Sequence, residues 1–408
     1  MEEPDVVIVG GGISGGALAT VLALRGMSVL LLERQLAFRD QVRGEIMWPW
    51  GVRVMRQLGL EQTLRDAGAQ LVRRFDFYDE GALDPEAVDV AGAVAGVEGS
   101  LNIHHPHACA AFIDAARRAG ADVRIGARDV VVSGAHALVR WSDGSRMEHE
   151  VRCRLIVGAD GRRSSVRAQA GIPLEVDPPA HLIAGMLVED VPGMDRGVNV
   201  MARESDLIFY SFPQQDGRSR LYFSFPNGQR SRFSGNDGGA RFLAETKLAC
   251  LRGVAEWESA KEAGPCATFA GQDSRAPHPL AEGIVLIGDA AGYENPLQGQ
   301  GLAMAMQDVS DVAEALLAAP LRSPDLTAYA ARRATRQRLA NVGTALEVWL
   351  NEGCVAQNPS ERAARTEFIA GDDVLSELQV CFMTGFDALP QDLTLADLTG
   401  LLAAYQRS

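Results

Sequence analysis

Lysine is nearly missing from this chain: among 39 basic residues only Lys247 and Lys261 are lysine. A basic surface is missing too, because 53 acidic residues leave a net charge of −14 over 408 residues. That balance argues against nucleic acid as a partner, whose phosphates need clustered Lys and Arg. It also argues against binding an anionic membrane surface. Cysteine is sparse: Cys109, Cys153, Cys250, Cys266, Cys354 and Cys381 form no Cys-x-x-Cys pair. This spacing fits neither a zinc cage nor a disulfide scaffold, so no metal is expected. Buried free thiols in a reducing compartment are expected instead. A long uninterrupted apolar run is also lacking. The uncharged stretch from Val6 to Leu24 is broken by Gly10, Gly11, Gly12, Gly15 and Gly16 and follows acidic residues. It reads as a strand, a turn and a helix start, not as a signal or a membrane span. A cytoplasmic protein without stable membrane insertion, monomeric or homodimeric, is the expectation.

What is present is a globular composition, 47% hydrophobic and 23% charged, long enough for one or two domains. The N-terminus reads β-α-β over Asp5–Val9, Ala17–Arg25 and Ser28–Leu32. Ala108–Ala119 has helical periodicity, and Leu155–Val157 is a buried strand. From about residue 170, Leu182–Leu187, Leu207–Phe212 and Arg220–Phe225 alternate apolar and polar residues, as antiparallel strands do. Ile284–Ile287 is another buried strand. Helical patterns follow at Gly301–Leu317, Tyr329–Leu350 and Asp373–Met383.

Gly10-x-Gly12-x-x-Gly15 follows a strand and opens a helix. Gly10 permits the tight turn, Gly12 the close approach of a pyrophosphate, and Gly15 the close packing of helix on strand. The helix start offers N–H groups and partial positive charge to phosphates. Glu33 ends the next strand, 23 residues after Gly10, where it can accept from ribose hydroxyls. This pattern predicts a dinucleotide, disfavours a 2′-phosphate here, and does not separate FAD from NAD. The bland alternative is a packing turn with a surface Glu.

Two further segments narrow the choice. Arg154-Leu155-Ile156-Val157-Gly158-Ala159-Asp160-Gly161-Arg162-Arg163-Ser164-Ser165-Val166-Arg167 resembles the "DG" fingerprint of the para-hydroxybenzoate hydroxylase family, the group A flavoprotein monooxygenases. Gly288-Asp289-Ala290-Ala291, with Pro296 and Gly299-Gln300-Gly301, resembles the "GD" segment of the same family. The resemblance covers roughly residues 4–350. It implies an α/β fold: a Rossmann-like, glutathione-reductase-type FAD-binding domain with an inserted antiparallel β-sheet substrate domain and C-terminal helices. The implied boundaries are 1–75, 100–170 and 270–325 for FAD, 76–99 and 171–269 for substrate, and 326–408 for the helices.

The same resemblance implies cofactor contacts from Gly10, Gly12, Ser14, Gly15, Glu33, Arg34, Arg43, His105, Asp160, Asp289, Pro296, Gly299, Gly301 and Leu302. Asp289 would take the ribityl hydroxyls, and the helix start after Gly299 would face the N1–O2 edge of the flavin. Arg43 precedes a short helix as in the family's "R-G" segment. Simple helix caps are the alternative for Asp160 and Asp289. Two departures stand out: His105 where many relatives have Arg, and Gly292 where many have His. Trp48, Trp50, Tyr210 and Tyr222 are candidates for the substrate pocket. Alternation turns about half of Tyr210, Phe212, Tyr222, Phe223 and Phe225 toward it. No catalytic side chain is assigned; His105, Tyr222 and Pro296 are candidates.

The resemblance implies a monooxygenase. NADH or NADPH reduces FAD, O2 adds at C4a, and the hydroperoxide delivers one oxygen atom to an aromatic or polyketide-like small molecule. A flavin reductase or dehydrogenase acting on an isoprenoid or other unsaturated substrate is the main alternative. A halogenase of the same fold fits less well, because Trp48-Pro49-Trp50 lacks a following Ile-Pro and no Lys precedes Lys247. A non-catalytic FAD-binding module is the remaining alternative.

Overall fold

A computed structural model of the chain describes residues 3–40, 42, 44–82, 84–145, 147–318, 324–351 and 358–405. Val6–Val9 is wholly buried and pairs in parallel with Val29–Glu33 on one side and Leu155–Gly158 on the other. Asp122–Ile125 and Ile284–Leu286 extend this sheet at its two sides, also in parallel, and Leu280–Ala281 ends it as an antiparallel edge. Unbroken Val, Ile and Leu runs suit strands covered on both faces. Helix Ile13–Leu24 packs on helices His105–Arg118 and Gly301–Ala318. A three-stranded meander, Arg128–Ser133, Leu138–Ser142 and Glu148–Arg152, inserts before Leu155.

The second large sheet orders its strands Lys261–Glu262, His181–Glu189, Arg218–Phe225, Leu207–Pro213, Val198–Glu204, Arg74–Asp79 and Glu86–Asp89. Ala267–Gly271 also pairs with His181–Glu189. The pairing is antiparallel except that Arg74–Asp79 runs parallel to Val198–Glu204. The expected antiparallel sheet is present, with one parallel pair where a strand arrives from far upstream in the chain.

The period of two divides this sheet into two environments. Phe209, Leu221, Phe223 and Phe225 face a core closed by Phe233, Phe242 and Trp257. On the other face, Phe77, Met201, Tyr210, Tyr222, Gly185 and Ala267 lie in register across six strands. Helices Thr327–Asn351, Pro359–Ala370, Asp373–Thr384 and Leu395–Tyr405 complete the chain. Among the described residues no helix is long and apolar enough to cross a membrane. Cys109, Cys153 and Cys381 are buried; Cys250 and Cys266 are only partly buried, and Cys354 lies outside the described residues.

Candidate active site

One cavity of about 620 Å³ separates the two large sheets. Gly12, Ser14, Trp48, His105, Tyr210, Tyr222, Asp289, Pro296, Gly299, Gly301 and Leu302 all line it. The distant segments around residues 10–15 and 288–301 therefore meet. A Cβ on Gly288, whose φ is +57°, would stand 2.3 Å from Ser14 Oγ. The 154–167 segment joins them: Arg167 Nη1 donates to the Ala290 carbonyl at 2.8 Å. The Arg162 guanidinium also lies 3.6 Å from the ring centre of Tyr293, a favourable charge–quadrupole contact.

Two of the glycines expected at the cofactor act by packing. A Cβ on Gly10 (φ +106°) would meet the Ala159 carbonyl at 2.4 Å, and one on Gly15 the Gly10 carbonyl at 1.9 Å. Gly12 differs, because a Cβ there would meet nothing within 4 Å. Its Cα opens on the cavity, at the N-terminus of a helix with no side-chain cap. Glu33 is buried and accepts from Gly11 N at 2.6 Å and Gln35 N at 2.6 Å, which shapes the cradle from behind. Glu33 and Arg34 are not in the cavity wall, and Arg34 is exposed. Asp160 accepts from Ser165 N at 2.6 Å and Val166 N at 3.2 Å, capping helix Ser165–Gln169 and standing behind the wall. Arg43 lies outside the described residues.

The departure at Gly292 has a steric reason. With φ +150°, a Cβ there would sit 2.5 Å from the Ser274 carbonyl and 2.8 Å from Gln337 Nε2. No imidazole fits. His105 lines the cavity, with Nδ1 3.5 Å from Cys109 Sγ. Its neighbour His104 is pushed down to about 4, by burial first and His107 second, so it is neutral near pH 7.

The apolar wall is richer than the sequence indicated. Trp48 Nε1 donates to the Gln298 carbonyl at 2.8 Å, and its ring meets Phe75 and Phe382 at 5.7 and 4.6 Å. Trp50, expected beside the substrate, is turned away by the helix that starts at Pro49. It packs on Phe386 and donates to Gln300 Oε1 at 3.2 Å. Phe223 and Phe225 likewise face the opposite core. Tyr210 and Tyr222 are held as neutral phenols by burial.

Sequence reasoning missed the buried charges of this wall. Arg220 is fully buried and donates to Asp40 at 2.6 Å and Glu45 at 3.2 Å; Glu45 also accepts from Gln214 at 2.6 Å. The ion pair pulls Glu45 toward the carboxylate and burial pushes it the other way. Burial wins, helped by the charge of Asp40, and Glu45 rises to about 8. A raised folded value means that the native state binds this proton more tightly. The stabilisation is full below the ordinary value of 4.5 and is lost as pH rises through about 8. Wild-type stability should therefore fall by roughly 1 kcal/mol per pH unit on approaching pH 8. Glu45→Gln should flatten that slope, as read from denaturant midpoints at pH 6 and pH 8.

The residues present suit an extended dinucleotide. The Gly12 cradle is open, the helix behind it is uncapped, and Gln298 turns into the wall with both amide atoms unbonded among the described residues. The chain is 25% identical over 417 residues to Squalene monooxygenase SE2 of Panax ginseng, covering 96% of this chain and 74% of that protein. It is 30% identical over 309 residues to Dialkyldecalin synthase of Streptomyces rugosporus, covering 74% and 63%. It spans 52–59% of the length of six further squalene monooxygenases or epoxidases that it matches. The solved structure of the myxobacterial chondrochloren halogenase CndH superposes with a TM-score of 0.75 at 21% identity, over 98% of this chain and 97% of that one. That likeness speaks for the fold. The FAD binding domain family matches residues 3–341. With three motifs converging on one cavity, the chain belongs to that family of FAD-binding proteins, within the group A flavoprotein monooxygenases that its motifs resemble.

Proposed function

We propose that the protein is an NAD(P)H-consuming monooxygenase that places one oxygen atom of O2 into an apolar, electron-rich small molecule, aromatic or polyketide-like. The observation that carries this reading is the apolar row of Phe77, Met201 and Tyr210 facing Asp289, Pro296 and Gly299 across a single cavity. Bound FAD supplies the electron transfer from the nicotinamide and the reaction with O2. The chain's own part is placement. Gly12 and the start of helix Ile13–Leu24 would take the pyrophosphate, Asp289 the ribityl hydroxyls, and Pro296 to Leu302 the flavin edge. Glu33 and Asp160 support these from behind, as Gly10 and Gly15 do by packing. Trp48, Tyr210 and Tyr222 would shape the substrate space and exclude water. His105 and Tyr222 stay candidates for contact with the reacting molecule. The division into FAD-binding pieces and a substrate sheet near residues 76–99 and 171–269 belongs to the same proposal.

The test is a screen of NADH and NADPH oxidation by the FAD-loaded protein against aromatic, polyketide-like and unsaturated isoprenoid compounds. The expected result is substrate-accelerated oxidation with equal O2 uptake, and a product one oxygen heavier from labelled O2. Turnover that persists without O2 would replace this reading with the reductase.

A further inference from the structure

We infer that Glu294 is a proton donor of this site: a buried carboxylic acid in the cavity wall that passes its proton to an oxygen or nitrogen atom of the molecule bound there. The inference rests on the monooxygenase reading for its chemistry, but not for its geometry.

Glu294 lies in the segment joining the turns Gly288–Ala290 and Pro296–Gln298 and lines the cavity. It is 5% exposed, and neither carboxyl oxygen has a hydrogen-bond partner among the described residues. The polar groups around it are committed elsewhere. Asn295 donates its N–H to Asp273 at 2.7 Å and caps the next turn through its side chain. Arg333 is held by Asp308, by Gln337 and by the carbonyls of Gly288 and Gly292. The fold thus satisfies the segment and leaves one acid without a partner. A buried carboxylate in that position is strongly disfavoured, whereas a neutral acid keeps an O–H in need of an acceptor. The open direction for that O–H is the cavity.

The groups that face it agree. Burial is the largest influence holding Glu294 far above the ordinary range, and Asp273, Asp308 and Asp289 push the same way. Only Arg333 opposes them, and its charge is shared with Asp308 at 2.9 Å. The overall reaction also requires a proton. A monooxygenation driven by NAD(P)H consumes one O2, one hydride and one proton, and yields oxygenated product and water. Where bulk water is excluded, a side chain in the wall can supply that proton. In the step, the Glu294 O–H bond breaks, a new O–H or N–H bond forms on the bound molecule, and a carboxylate is left. Asp273, whose charge acts on Glu294, is itself raised to about 6, chiefly by burial.

Infrared difference spectra of wild type against Glu294→Gln test this first. The expected signal is the carbonyl band of a protonated acid at pH 7, seen in the FAD-free protein and moved to lower frequency by adding FAD or an accepted substrate. A carboxylate signal instead, or an acid band that no ligand moves, overturns the inference. Kinetics test it second. Glu294→Gln that is folded and FAD-loaded should lose about 10²-fold in kcat with KM and FAD affinity kept, and Glu294→Asp should recover most of it. An unchanged kcat in Glu294→Gln overturns the inference. If the wild type oxidises NAD(P)H with no compound, the monooxygenase reading fails, while the infrared result still decides Glu294.

Discussion

Gly15→Val should yield no folded protein, whereas Gly12→Val, three residues earlier, should fold normally and lose FAD. At position 15 even a Cβ would stand 1.9 Å from the Gly10 carbonyl, which is backbone and cannot swing aside. Helix Ile13–Leu24 must then leave its strand, and the cost exceeds the roughly 1–3 kcal/mol of ordinary overpacking. At position 12 the backbone is extended, with φ −67°, and a Cβ meets nothing within 4 Å. The valine would fill the space proposed for the pyrophosphate. Losing two hydrogen bonds to a charged group, at about 1.5–3 kcal/mol each, weakens FAD by about 10²- to 10⁴-fold. Soluble yield and thermal midpoint of the FAD-free protein report the first effect, and FAD titration the second. Equal FAD affinity in wild type and a folded Gly12→Val would remove the cradle from the proposed site.

Arg333→Met should destabilise the protein by about 3–5 kcal/mol, the usual effect of removing one member of a buried ion pair. Asp308 is fully buried and accepts from Gly288 N at 2.9 Å, from Arg333 at 2.9 Å and from Arg336 at 3.2 Å. Arg333 is 3% exposed. Its guanidinium ties helix Thr327–Asn351 to the turn that carries Asp289, through the carbonyls of Gly288 at 3.3 Å and Gly292 at 3.2 Å. Arg333→Lys should not rescue the loss, because an ammonium cannot serve Asp308, Gln337 and two carbonyls with one fixed fork. Denaturant unfolding measures the stability. Retention of FAD during dilution measures the turn, and both should fail together.

The parts legible in the sequence were those governed by local rules. A strand, a glycine turn and a helix start can be read at residues 6–24 because each glycine answers a nearby steric demand. The same holds for the buried strands Leu155–Gly158 and Ile284–Leu286, whose uniform apolar runs suit both-sided burial. The buried charges were not legible. Glu45, Arg220 and Glu294 read as surface residues one at a time, and only packing between segments far apart in the chain buries them. Phe75 and Phe77 were missed although Arg-Phe-Asp-Phe-Tyr-Asp carries the alternation of a half-buried strand. Phe382 sits on helix Asp373–Thr384, where nothing local indicates that it reaches the cavity. Trp50 misled because two tryptophans flanking Pro49 looked equivalent, while the helix rotates the second away from the first.

The row Phe77, Met201, Tyr210, Tyr222, Gly185 and Ala267 takes one residue from each of six strands, and the layer beneath it belongs to different residues altogether. Exchanging Met201 or Ala267 would reshape one patch of wall without disturbing Phe209 or Phe223 below. Cavity shape and core packing are thus carried by alternate residues of the same strands, so one can be altered while the other is kept.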